Sequence, residues 1–130
     1  MTAISYVDAS ALAKLVVHEP GSDDMLRWLV ESERVASNRI GIVETFRAAQ
    51  RRVHDRGHLD AVLASIEIIE FDAAIATRAA AIGPPSLRTL DAIHLASALA
   101  LAVDLVAFVT YDQRLADAAR SIGLPVVAPG

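Results

Sequence analysis

Four acidic residues stand where short apolar runs give way to helical ones: Asp8, Glu44, Asp91 and Asp112. Asp8 ends the apolar, β-branched run Ile4-Ser5-Tyr6-Val7. Asp112 lies two residues beyond a similar run, Val106-Ala107-Phe108-Val109-Thr110. Both runs read as buried strands. Glu44 falls early in a helical pattern that follows Asn38, and Asp91 falls in the first turn of one that opens at Thr89. Carboxylates collected in one place repel each other unless a cation neutralises them. Oxygen ligands without His or Cys partners suit a hard cation, Mg²⁺ or Mn²⁺. Such a site can activate water and stabilise in-line displacement at phosphorus. Each acid also has a structural use. Asp8 and Asp112 can be turn or cap residues, and Asp91 can be an acid favoured by a helix dipole. Glu44 has the weakest structural use: it sits beside Val43 at the edge of an apolar stripe, where an unpaired carboxylate is costly to desolvate.

Other residues flank these four. Ser10 and Thr110 can orient a ligand or a water, or serve as a helix cap and a strand-end hydroxyl. Arg47 and Arg51, one and two turns beyond Glu44, begin a run continued by Arg52 and Arg56. That run can contact a phosphate backbone or form the solvated face of a helix. His94, one turn after Asp91 in an apolar helix, reads as a satisfied structural histidine rather than a general base. Lys14 reads as a surface residue, and Trp28 and Tyr6 as core or interface.

The elements that must position these groups follow from periodicity and punctuation. The expected order is a strand over 4–8, helices over 9–17 and 23–33, and a strand over 34–37. A helix capped by Asn38 then runs to about Asp55 on the stripe Ile42, Val43, Phe46, Ala49 and Val53, stopped by Gly57. A helical stretch over 59–65, a strand over 67–71 and a helix capped by Asp72 lead to the breaker Gly83-Pro84-Pro85. A long helix from Thr89 to about Ala102, a strand over 106–110, a helix over 112–122 and a short strand at Val126-Val127 complete the chain. An Arg27/Glu31 pair is expected on the second helix. Strands separated by helices, with no hairpin signal, predict parallel pairing. The expected fold is α/β: a single doubly wound domain spanning 1–130, with a mostly parallel central sheet flanked by helices.

Composition narrows the class. At 130 residues with 54% hydrophobic and 22% charged residues, the chain can bury a core and is not a disordered one. It has no cysteine, which removes disulfides and thiolate metal sites. No signal-peptide layout opens it, and its most apolar run, 92–103, is too short to span a bilayer. A soluble, cytoplasmic protein with no membrane partner is expected. A net charge of −4 carries no broad nucleic-acid footprint.

Four segments together resemble the PIN-domain nucleases, and within them the VapC-type toxins of bacterial toxin–antitoxin pairs. They are Tyr6-Val7-Asp8-Ala9-Ser10-Ala11-Leu12-Ala13-Lys14, Val43-Glu44-Thr45-Phe46-Arg47-Ala48, the stretch Leu87-Arg88-Thr89-Leu90-Asp91-Ala92-Ile93-His94-Leu95-Ala96, and Val109-Thr110-Tyr111-Asp112-Gln113-Arg114-Leu115; the ending Gly123-Leu124-Pro125-Val126-Val127 fits as well. The resemblance covers nearly the whole chain. It implies a metal-dependent endoribonuclease, a homodimer, and a VapB-like antitoxin that blocks the site. It carries catalytic and metal-binding roles onto Asp8, Glu44, Asp91 and Asp112. One departure stands out: relatives often carry a hydroxyl residue three positions before the glutamate, where this chain has Gly41.

Two other functions compete. A metal-dependent phosphatase or phospho-acceptor domain also places Asp at strand ends, but would want a lysine after a late strand, and Lys14 is the only lysine. An acid-lined module docking a basic peptide needs no catalysis at all.

Overall fold

The computed structural model describes residues 3–52 and 55–130. Elements follow in the order β1 (Ile4–Val7), α1 (Ala9–Val16), α2 (Ser22–Glu31), β2 (Val35–Asn38), α3 (Arg39–Ala49), α4 (Arg56–Ala64) and β3 (Glu67–Ile69). Then come α5 (Ala73–Ala81), α6 (Thr89–Leu99), β4 (Leu105–Val109), α7 (Gln113–Ser121) and β5 (Val126–Val127). The strands form one sheet in the order β3-β2-β1-β4-β5, with every pair parallel. The expected α/β architecture, a parallel sheet flanked by helices, is the one observed.

Strand periodicity divides the core. Val7, Ala107 and Val109 face the side covered by α1, α2, α3 and α4, where Leu12, Leu15, Met25, Ile42 and Val62 are buried. Tyr6 and Phe108 point the other way, against Leu95 and Ala98 of α6 and Leu115 and Ala119 of α7. The alternation is that of a pleated strand buried on both faces. The Tyr6 and Phe108 rings stack at 5.5 Å between centroids and 6° between planes.

The order of strands places one crevice. From β1 the chain builds outward to β2 and β3, then returns to the other side of β1 with β4 and β5. The carboxyl ends of β1 and β4 therefore flank the point where the winding reverses, the usual ligand crevice of an open α/β sheet.

Local differences from the expected boundaries have identifiable causes. α3 ends at Ala49 rather than near Asp55, so Arg51 lies in the turn after the helix. Gly57 does not stop α3; it lies in the first turn of α4, which Asp55 caps by accepting from the His58 N–H at 3.2 Å. The stripe of α3 is Gly41, Ile42, Thr45 and Ala49, with Val43 51% exposed and Phe46 only partly buried; Val53 lies outside the described residues. Asp8, not Ser10, caps α1. Arg27 pairs with Asp24 at 3.1 Å rather than with Glu31. Lys14 is drawn in from the surface, donating to the Pro20 carbonyl at 2.7 Å with its ammonium 4.6 Å from the centroid of the Tyr111 ring. Among the described residues no helix is long and apolar enough to cross a membrane.

Candidate active site

Asp8 leaves the end of β1 and turns directly into α1. As the N-cap it accepts the Ala11 N–H on Oδ1 at 2.9 Å. Ser10 Oγ donates to the same oxygen at 2.7 Å, and Thr110 Oγ1, at the end of β4, donates to Oδ2 at 2.6 Å. The two hydroxyls are fixed in turn: Ser10 Oγ accepts the Tyr111 N–H at 2.8 Å and Thr110 Oγ1 accepts the Asp112 N–H at 3.1 Å. Asp8 is thus clamped across the β1–β4 junction with only 2% of its surface exposed. Burial raises its pKa above the ordinary aspartate value, and the nearby Asp112 charge adds to the rise, against the hydrogen bonds that favour the anion.

Asp112 caps α7, accepting from the N–H groups of Arg114 at 2.9 Å and Leu115 at 3.3 Å. Asp91 sits in the first turn of α6, and its pKa is raised mainly by burial and also by Asp112, while Arg88 and Arg114 oppose the rise. Arg88, the N-cap residue of α6, makes no capping hydrogen bond with its side chain. Its guanidinium instead reaches both acids, 3.5 Å from Asp91 and 3.6 Å from Asp112.

All four acids border one cleft of about 430 Å³, together with Ser10, Thr45, Arg88 and His94. Glu44 does not lie at the edge of a buried stripe as expected: it is exposed, beside an exposed Val43, so it carries no desolvation cost. It reaches the cleft from the open face of α3, and among the described residues it has no hydrogen-bond or ion-pair partner. Arg47 and Arg51 are also exposed and do not border the cleft.

Two residues at the cleft were under-read in the sequence. Arg88 carried a signal, a base three residues before an acid at a helix start, and that spacing puts the two on neighbouring positions of one turn. His94 is buried as expected, 1% exposed, yet it is not satisfied. Its Nδ1 is 2.6 Å from the Tyr6 hydroxyl, while Nε2 has no partner. Burial without a compensating charge lowers its pKa from 6.5 to about 4, so the ring is neutral. The ring also accounts for Gly41. A Cβ added there would stand 2.5 Å from His94 Cε1, closer than atoms can approach, so a hydroxyl-bearing side chain has no room.

As placed, no three His, Asp or Glu side chains among the described residues stand close enough to enclose a metal ion. The chemistry of the donors nonetheless suits one. The acids at the cleft offer oxygen only, the preference of a hard dication. Burial raises the pKa values of Asp8 and Asp91, and a bound cation would offset the cost of keeping those carboxylates ionised away from water.

A family model described as PIN domain matches residues 5–121. Ribonuclease VapC46 of Mycobacterium tuberculosis is 40% identical over 130 residues, covering 95% of this chain and 96% of its own length. Among solved structures, M. tuberculosis VapC20, described as a sarcin–ricin loop cleaving toxin, superposes with a TM-score of 0.73 at 17% identity, covering 96% of this chain and 99% of that one. VapBC2 from Rickettsia felis, solved bound to a DNA fragment from its promoter, gives a TM-score of 0.71 at 15% identity, covering 98% and 99%. With its acids gathered at the β1–β4 switch point and these likenesses over nearly its whole length, the chain belongs to the PIN-domain family, among the VapC ribonucleases.

Proposed function

We propose that this protein is the toxin of a toxin–antitoxin pair, an endoribonuclease that hydrolyses RNA phosphodiester bonds in the cytoplasm with Mg²⁺, for which Mn²⁺ can substitute. The observation that carries the reading is the convergence of Asp8, Glu44, Asp91 and Asp112 on a single cleft at the sheet's switch point. In this reading those four residues hold the cation and are the catalytic residues. A bound dication supplies Lewis-acid stabilisation of charge at phosphorus and makes water a better nucleophile at neutral pH.

The chain's own groups prepare the site for that work. Ser10, Thr110 and the Ala11 N–H fix both oxygens of Asp8, so no rotamer search is left for it during the reaction. Arg88 stands at the cleft beside Asp91 and Asp112, where its guanidinium can meet the phosphate that enters. Arg47 and Arg51, exposed beyond the cleft, bind the flanking RNA backbone. The named pair VapBC2 of R. felis, similar in fold, supports a cognate VapB-like antitoxin as partner. A homodimer is the proposed assembly.

The test is cleavage by the purified chain of RNA and of a small phosphomonoester, each with and without Mg²⁺. Cation-dependent cuts within RNA are expected. Turnover of the phosphomonoester alone would make the protein a phosphatase, and no turnover of either would leave an acid-lined docking module.

A further inference from the structure

Two unpartnered groups belong to residues that border one cleft where α3 packs against α6. One is His94 Nε2, buried and without a hydrogen bond. A buried polar atom left unmatched is destabilising and calls for a use. The other is the Glu44 carboxylate, also without a partner among the described residues. Both residues border the same cleft.

The surroundings of the Tyr6 hydroxyl favour one tautomer of His94. The Tyr6 hydroxyl oxygen accepts the Asn38 N–H at 3.2 Å, the Ser37 and Ser97 hydroxyls beside it donate to the Val7 and Ile93 carbonyls, and the phenol lies 2.6 Å from His94 Nδ1. A phenol O–H donating to Nδ1 leaves a neutral imidazole with its proton on Nε2. In that tautomer the free group on His94 is a donor, and the free group on Glu44 is an acceptor.

Gly41 lets the His94 ring approach α3 closely. The outer edge of the ring lies against its backbone, since a Cβ there would be 3.1 Å from Nε2. Glu44 is one turn further along the same helix, and side chains three apart share a face with Cβ atoms about 5–6 Å apart. A glutamate side chain, with three rotatable bonds, covers that distance when it turns inward. Any residue with a Cβ at 41 would press on the ring edge that carries Nε2.

We propose that His94 is a positioning residue, whose Nε2–H holds the Glu44 carboxylate turned into the cleft when the cation binds. This rests on the reading of Glu44 as a cation ligand. Outer hydrogen bonds of this kind typically alter metal affinity by about 10–100-fold when removed.

Two measurements on the full chain test it. Long-range ¹H–¹⁵N spectra of the imidazole should show the proton on Nε2, with a shift of that signal when Mg²⁺ is added. A proton on Nδ1 would overturn the proposal without any variant. The second measurement is Mn²⁺ affinity, read from the rise in melting temperature as Mn²⁺ is titrated. His94→Phe should weaken binding about tenfold, His94→Gln should restore part of it, and His94→Phe should add nothing to Glu44→Gln. Independent, additive losses, or wild-type affinity in His94→Phe, would overturn the role of His94. If wild type shows no Mn²⁺-dependent rise, the cation-site reading itself fails, and the spectra in the absence of metal still report the tautomer.

Discussion

Acidification should reveal His94 as a latent destabiliser of the fold. The ring titrates near 6.5 in the unfolded chain and at about 4 when buried. Between those values the unfolded state binds a proton that the folded state refuses. Stability therefore falls as pH drops through that window, and is unaffected by this residue above it. A gap of that size corresponds to about 3 kcal/mol in all, of which about 2 kcal/mol is already lost by pH 5. Other groups act in the same range with opposite signs. Asp8 and Asp91, raised by burial, favour the folded state as they take up protons, while Glu67 and Glu70, lowered by hydrogen bonds from Arg34 and Arg39, lose their contribution in acid. The contribution of His94 is isolated by urea unfolding of wild type and His94→Gln at several pH values from 7 to 4. The variant should start less stable, because the Tyr6 hydroxyl loses a well-placed acceptor, but its stability should decline less by about 2 kcal/mol between pH 7 and pH 5. Parallel curves would refute a buried, neutral His94.

Gly41→Ala should destabilise the protein by about 1–3 kcal/mol in urea unfolding, since either the His94 ring or α3 must move to admit the Cβ 2.5 Å from Cε1. Unchanged stability would mean that the ring is not seated there. Sedimentation at micromolar concentration should show a homodimer, for a mean hydropathy of +0.41 is high for a chain this small and Val43 and Phe71 are 51% and 43% exposed. Only monomer would count against it.

The sequence made the frame of the cleft legible because strand ends announce themselves. Ile4 and Val7 are β-branched, Asp8 interrupts them, and an Ala/Leu helix starts at once, so the acid had to lie at a carboxyl edge. Asn38, Asp72 and Asp112 were readable as caps from residue type alone, and each does accept a backbone N–H at its helix start. An apolar stripe running to Val53 extends the expected helix to about Asp55, whereas α3 ends at Ala49 with Gln50 as its C-cap and a new helix starts from the cap at Asp55. Glu44 was selected by a burial argument that the exposed face of α3 removes, although it does border the cleft. The half-satisfied state of His94 and the need for glycine at 41 depend on a contact between two helices distant in sequence. Neither leaves a local pattern.

Asp8→Asn tests the central claim most directly, by RNA cleavage and by thermal unfolding with and without millimolar Mg²⁺. Asparagine can still accept the Ala11 N–H and the Ser10 hydroxyl on Oδ1 while donating to Thr110 Oγ1, so the cap survives. Loss of a buried charge that Asp112 opposes offsets the weaker hydrogen bonds, and metal-free stability should hold or rise. A ligand bound only by the folded state raises its melting temperature by mass action, so Mg²⁺ should stabilise wild type and affect Asp8→Asn much less. Asp8→Asn should therefore fold and fail to cut RNA. Retained Mg²⁺-dependent cleavage by Asp8→Asn, or equal stabilisation of both proteins by Mg²⁺, would contradict it.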